Sequence, residues 1–181
     1  MNPQKISIVA VLALLLTGCG VLPRTDTERQ TLQLSNHTIQ ELCDFPKQFF
    51  SARYNAPNLE VSVTATKPMN DKIAAGNGCG YHTPGRKEYL GDVFLHRIFE
   101  DTTSPTIENR PARVLKVDGV AVTETVEPIP DYLDPATARP YFELTANIDG
   151  WEGTLEFKNG DDQGTQAGAQ VLVNMIRALK G

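Results

Sequence analysis

The sequence lacks the features of a membrane-spanning or nucleic-acid-binding chain. Its longest apolar run, over 8–16, has nine residues, whereas a transmembrane helix needs about 20. The 17 basic and 22 acidic residues give a formal net charge of −5. Binding to a phosphate backbone depends on an excess of Lys and Arg. The composition therefore argues against a transmembrane helix and against nucleic acid as a partner.

Motifs for catalysis and cofactor binding are also missing. The sequence contains no G-x-S-x-G nucleophile elbow, no H-E-x-x-H zinc motif and no glycine-rich phosphate loop with a lysine. The three histidines, His37, His82 and His96, do not stand at metal-ligand spacing. We therefore predict no catalytic residue, no metal site and no cofactor. The alternative that stays open is a Ser/His/Asp set assembled in space from distant positions.

The N-terminus carries the clearest pattern in the chain. Lys5 precedes the apolar run, and the stretch Leu16-Thr17-Gly18-Cys19 sets small residues directly before a cysteine. This is the pattern of a bacterial lipoprotein signal, in which the cysteine sulfur is acylated and the chain is cut just before it. We predict a signal peptide over 1–18 and a palmitate-type anchor on Cys19. The alternative is an ordinary cleaved signal with an incidental cysteine, which would release a soluble protein.

A lipid anchor predicts where the mature chain resides. Two or more acyl chains hold a protein stably on a membrane, so we expect Cys19 to anchor the protein at the extracytoplasmic face of the cell membrane. Loss of 1–18 leaves 163 residues with 16 basic and 22 acidic side chains, a net charge of −6. The polar segment over 19–35, which contains Pro23, is predicted to be a flexible tether. The remaining 36–181 is long enough for a single globular domain.

With Cys19 committed to lipid, two cysteines remain, Cys43 and Cys79. Thiols beyond the cytoplasmic membrane tend to be oxidised, so an even remainder predicts a disulfide between them. The alternative is a pair of unbridged thiols, with Cys43 on a helix and Cys79 in a glycine-rich loop.

Sequence patterns in the first half of the domain predict one helix and two strands. A helical pattern covers 37–54, and Pro46 should break or kink it because proline is not accommodated in a helix interior. Apolar and polar residues alternate over 59–65, which indicates a half-buried strand. A second strand is predicted over 92–99. The intervening 67–91 is rich in Gly, Pro and Asn, so we predict a loop there.

The second half predicts hairpins and a closing helix. Asp118-Gly119 and Asp149-Gly150 supply the positive φ angles of type I′ turns, and they are flanked by predicted strands over 113–117, 120–123, 141–148 and 151–157. The segment 165–181 carries an apolar stripe at helical spacing. Asp161 and Asp162 precede that helix and should serve as capping and turn residues, with a calcium site as the alternative.

These elements together predict an α+β fold. We expect a two-layer sandwich in which N- and C-terminal helices cover one face of a mostly antiparallel sheet of about six strands. The segment 127–140 contains four prolines, so it should be a long surface loop. Tyr132 and Leu133 on that loop, together with the only tryptophan, Trp151, are candidate partner-binding residues. For Trp151 the alternative is a place in the core.

The layout resembles a known family. A helix containing Cys43, a strand, the segment Gly78-Cys79-Gly80-Tyr81, hairpins and a closing amphipathic helix follow a lipoprotein signal. In this order the chain resembles the small cell-envelope lipoproteins of actinobacteria, including the LpqN-like group, over roughly 36–180. The resemblance implies an α/β sandwich of the PsbP type and implies no catalytic residue.

Three functions are compatible with these observations. The anchor, the tether and the missing motifs favour a non-catalytic lipoprotein that binds an envelope protein or ligand. The second is an envelope hydrolase with a spatially assembled site, which would depend on His82 or His96. The third is a carrier of a small molecule or lipid in a cavity between the sheet and the helices.

Overall fold

A computed structural model describes residues 34–64, 67–74, 76–98, 112–129, 134 and 138–181. In these residues three α-helices and seven strands form one α+β unit, as predicted. The helices are α1 (Ile39–Asp44), α2 (Lys47–Arg53) and α3 (Asp162–Leu179). The strands are β1 (Glu60–Val63), β2 (Asn77–His82), β3 (Tyr89–Arg97), β4 (Ala112–Val117), β5 (Val120–Val126), β6 (Tyr141–Ile148) and β7 (Trp151–Lys158). They make a single antiparallel sheet in the order β1-β2-β3-β7-β6-β5-β4.

One face of the sheet is apolar and carries the helices. Cys79, Val93, Leu155 and Leu144 are paired in a row across β2, β3, β7 and β6, and none is more than 1% exposed. Paired residues point to the same face of a sheet. The opposite face, which we call the open face, carries the alternate residues, most of which are polar and half-buried.

The closing helix α3 packs against β6 and β7 on the apolar face. Its first turn is capped by Asp161, whose carboxylate accepts a hydrogen bond from the Gly164 N–H at 2.6 Å. A Cβ added to Gly153 of β7 would lie 2.7 Å from Ile176 Cγ1 and 3.0 Å from Leu172 Cδ1. The space between α3 and the centre of the sheet is therefore filled by side chains.

Both hairpins form at the predicted dipeptides. Asp118 and Gly119 have φ angles of 48° and 81°, and Asp149 and Gly150 have 53° and 78°. Positive φ at both central positions is the geometry of a type I′ turn, so this prediction is confirmed.

The sheet has seven strands rather than about six, because the glycine-rich stretch around Cys79 forms β2 and not a loop. Glycine usually weakens a strand. At position 78 close packing requires a glycine, since a Cβ there would overlap the Phe94 ring of the neighbouring strand. The predicted strand over 92–99 also begins earlier, at Tyr89.

The predicted broken helix is two separate short helices. Thr38 and Glu41 form a capping box at the start of α1, and Pro46 stands at the start of α2. The pKa of Glu41 is lowered to about 2, chiefly by its hydrogen bond with His37 and then by bonds from Thr38. Helices of six and seven residues are not stable alone, so tertiary contacts must hold them.

One such contact is the disulfide between Cys43 of α1 and Cys79 of β2, which confirms the predicted pairing. Both cysteines are fully buried. Two residues further along β2, the Tyr81 hydroxyl donates a hydrogen bond to the Cys43 carbonyl at 2.8 Å. The disulfide and this hydrogen bond together fix α1 to the apolar face of the sheet.

Alkaline pH should destabilise the fold through Tyr54, which follows α2. Its hydroxyl lies 2.6 Å from the Lys158 carbonyl and 3.1 Å from the Leu90 carbonyl, and burial raises its pKa to about 12. In the unfolded chain a tyrosine pKa is about 10. Between these values the unfolded state loses its proton first, so the free energy of unfolding should fall as the pH rises from 10 to 12.

The test is urea unfolding at several pH values for the parent and for Tyr54→Phe. After a discount for partial exposure, we expect the parent to lose about 1–2 kcal/mol more than the variant over this range. Equal losses in the two proteins would contradict the assignment to Tyr54.

Candidate functional site

A surface groove runs between α2 and α3, along α3 as far as Asn174. Its volume is about 680 Å³, within the range typical of ligand pockets. Its walls come from the end of α1, from α2 and from α3. The lining residues are Phe45, Gln48, Phe49, Ala52, Arg53, Asp161, Gln163, Gly164, Ala167, Val171 and Asn174.

The wall formed by α1 and α2 presents two aromatic rings. Phe45 and Phe49 stand four residues apart and are partly buried. The Phe49 ring meets the Phe157 ring of β7 edge to face, at 5.4 Å between centroids. Phe49 therefore belongs to the core on one side and to the groove on the other, so core packing fixes its position.

The wall formed by α3 is made of small and aliphatic residues. Gly164, Ala167 and Val171 follow one another at spacings of three and four, which places them on one stripe of the helix. Ala167 is exposed and Val171 is half-buried. These short side chains leave the space between the two walls open.

Arg53 closes one end of the groove. Its guanidinium carbon lies 5.1 Å from the centre of the Phe157 ring, and its Nη2 donates to the Asn159 carbonyl. Its Nη1 lies 3.4 Å from the Asp161 carboxylate. A Cβ on Gly164 would overlap Nη1, so glycine at this position lets the arginine cross the start of α3.

The two walls of the groove are largely apolar, exposed amide side chains stand along them, and the Arg53 end is charge-balanced. The Gly164 N–H and then Arg53 lower the pKa of Asp161, so its carboxylate stays ionised beside the guanidinium at neutral pH. The lining contains no serine, cysteine or histidine. The aromatic wall and the small-residue wall are suited to holding an apolar group.

The predicted site residues have different places. Cys19, Tyr132 and Leu133 lie outside the described residues. Among the described helices none combines the length and apolarity needed to cross a bilayer. Trp151 is only 1% exposed and belongs to the core, which is the alternative given above. Its burial at the start of β7 removes the indole from any protein surface.

The histidines lie apart from one another. His37 contacts Glu41 at 3.0 Å, and His96 lies 3.5 Å from Glu152. No group of three potential metal ligands occurs within the part of the chain that the structure describes. His82 Nε2, however, lies 3.1 Å from the hydroxyl of Ser62 on the neighbouring strand.

Sequence reasoning missed the groove residues because each one has an ordinary structural role in its own segment. The spacing of Phe45 and Phe49 is also that of a helix packed on a core. Val171 belongs to the predicted apolar stripe of the closing helix. The available signal was the small size of Gly164 and Ala167, which precede Val171 at spacings of three and four.

Comparison with known proteins returns no matching family model, no matching curated protein and no matching solved structure. The resemblance to the actinobacterial envelope lipoproteins therefore stays a prediction.

Proposed function

We propose that this protein is a lipid-anchored binding module on the extracytoplasmic face of the cell membrane, and that its groove receives an apolar segment of another envelope protein without acting on it chemically. The observation that carries the proposal is the groove between α2 and α3, with its aromatic wall and small-residue wall. The buried disulfide supports the location, because structural disulfides persist in oxidising compartments.

A protein segment suits this groove better than a charged small molecule. Phe45 and Phe49 provide large apolar surfaces of the kind that anchor protein interfaces. Gln48, Gln163 and Asn174 supply amide groups to its lining, and amides can pair with a peptide backbone. Arg53 and Asp161 offset each other, so the groove carries little net charge to select an ionic ligand.

The chain enters the domain beside the C-terminal end of α3, where Ser35 donates a hydrogen bond to the Leu179 carbonyl at 2.5 Å. The groove lies along α3 from Gly164 to Asn174, toward the other end of the helix. A helix of 18 residues is about 27 Å long. The entry point of the chain and the groove are therefore separated along α3.

The tether is long enough to let the domain stand off the bilayer. Fifteen peptide steps separate Cys19 from Leu34, which span at most about 50 Å when extended. The domain could therefore reach a partner that protrudes from the bilayer.

The carrier function receives less support. A bound molecule between the sheet and α3 would compete with the side chains that contact Gly153, namely Ile176 and Leu172. The groove lies instead on the outer surface of the helical layer, with its rim open to solvent.

Site-specific photocrosslinking in cells tests the proposal. A benzophenone amino acid at Gln48, on the groove rim, should crosslink to a discrete envelope protein. The same amino acid at Thr123, which is exposed on the open face, should not. Filling the groove with Ala167→Trp should reduce the crosslink at least tenfold.

Ala178→Trp is the matched control, because Ala178 is exposed on the same helix but outside the groove. It should leave the crosslink unchanged. Equal crosslinking from Thr123, or no effect of Ala167→Trp, would contradict the proposal. Crosslinks to lipid alone would show that an acyl chain, and not a protein segment, occupies the groove.

A further inference from the structure

We propose that Ser62 and His82 form a second site, a nucleophile and base pair that cleaves short-chain carboxylic esters on the open face of the sheet. The groove described above lies in the helical layer, on the other side of the sheet. The two sites share no residue, so the failure of one proposal leaves the other unaffected.

The distance between the two side chains is the first observation. The Ser62 hydroxyl oxygen lies 3.1 Å from His82 Nε2, within the reach expected of a nucleophile and its general base. The other acceptor near this hydroxyl, the Gly80 carbonyl, is farther away at 3.4 Å. The imidazole nitrogen is therefore the nearer acceptor for the hydroxyl proton.

The sheet register brings the pair together. Glu60 of β1 pairs with His82 of β2, and Ser62 pairs with Gly80. Alternate residues of a strand share a face, so Ser62 and His82 both project from the open face. Both are half-buried, which leaves them in reach of a solute.

Gly80 keeps the space between them free. A Cβ at this position would lie 3.0 Å from the Ser62 oxygen, 3.6 Å from His82 Nε2 and 3.4 Å from the Tyr89 ring. A larger residue would thus crowd the nucleophile, the base and the ring at once. Glycine therefore lets the nucleophile, the base and an aromatic ring come close to one another above the strand.

The neighbouring residues orient the imidazole. The pairing of β2 with β3 shifts register between Tyr81 and His82, and such bulges are common beside functional sites because they re-aim a side chain. The rings of His82 and Tyr89 lie 5.4 Å apart. The Tyr89 hydroxyl donates to the Asp92 carboxylate at 2.5 Å, which fixes the ring against which His82 rests.

The chemistry follows from these positions. His82 Nε2 accepts the Ser62 hydroxyl proton as the oxygen attacks the ester carbonyl carbon, and the bond from that carbon to the alcohol oxygen breaks. His82 then gives the proton to the departing alcohol, which leaves an acyl group on Ser62. Water attacks this acyl-enzyme with His82 again as base and releases the carboxylic acid. No oxidant or reductant is needed.

The test uses the full-length chain purified in detergent, a biotin-linked fluorophosphonate and p-nitrophenyl acetate. The fluorophosphonate should bond to the Ser62 oxygen with loss of fluoride, and mass spectrometry should find the adduct on the peptide that contains Ser62. The esterase activity and the adduct should both disappear in Ser62→Ala. In His82→Gln the labelling rate should fall at least about 100-fold.

Two matched variants test specificity. His96→Gln changes a histidine on the same face that contacts Glu152, and Ser51→Ala changes a half-buried serine of α2. Neither should alter the labelling rate more than twofold. Absence of an adduct on Ser62, or an unchanged rate in His82→Gln with an unchanged urea midpoint, would overturn the proposal. Ser62→Cys gives a second readout, since its alkylation should be faster with His82 present than in the double variant with His82→Gln.

Discussion

Reduction of the bond between Cys43 and Cys79 is expected to lower the free energy of unfolding by about 4 kcal/mol. The two residues are 36 positions apart, and a crosslink that closes a loop of this length restricts the unfolded chain severely. Single domains are stable by about 5–15 kcal/mol in total. The bridge therefore supplies a large share of the stability, and urea unfolding of the oxidised and reduced protein measures it.

The reduced parent protein is the sharpest comparison, because it has the same side chains without the crosslink. The free energy of unfolding of Cys43→Ala/Cys79→Ala should lie within about 1 kcal/mol of that of the reduced parent. The remaining difference comes from the lost sulfur atoms. Since both sulfurs are fully buried, dithiothreitol should reduce the bond rapidly only when urea is present. A stability difference below about 1 kcal/mol between oxidised and reduced protein would contradict this account.

The disulfide also affects the groove. Cys43 lies in α1, which ends at Asp44 just before Phe45, and α2 follows with Phe49 and Arg53. These short helices form one wall of the groove and depend on tertiary contacts for their stability. Loss of the bridge should thus weaken partner binding as well as stability, whereas Ala167→Trp should weaken binding alone.

Much of the fold could be predicted because its signals are local. The Asp-Gly turns and the apolar stripe of α3 each depend on a few neighbouring residues, and both were placed correctly. The strand β2 could not be predicted, because its glycines suggest a turn until Phe94 is known to lie against Gly78. That contact joins residues 16 positions apart, which no local pattern shows.

The sites were less predictable than the fold for the same reason. The groove joins α2 to a helix more than 100 residues later in the chain, so no motif spacing can indicate it. The contact between Ser62 and His82 depends on the register of an edge strand with β2, a strand that the sequence does not predict. The cysteine pairing was accessible because it followed from counting residues and from the expected compartment, and not from their positions in space.

Replacing Cys19 by serine is expected to abolish lipid labelling and with it the acyl-chain anchor. Each buried methylene of an acyl chain contributes about 0.8 kcal/mol to membrane binding, and two or more chains make anchoring effectively permanent. The mature chain, with a net charge of −6, has no basic surface of its own to hold it on anionic lipids, so the acyl chains must supply the attachment. Metabolic labelling with alkynyl palmitate, followed by fractionation, should find the parent labelled in the membrane and the variant unlabelled.

The remaining cysteines provide the control for this experiment. The sequence has three cysteines, and two of them are joined to each other, so Cys19 is the single thiol open to acylation. Cys43→Ala/Cys79→Ala should therefore lose stability but keep its label. An ordinary cleaved signal would give an unlabelled parent in the soluble fraction, and that outcome would remove the membrane location from the proposed function. The groove and the Ser62–His82 pair would then have to be explained for a freely diffusing protein.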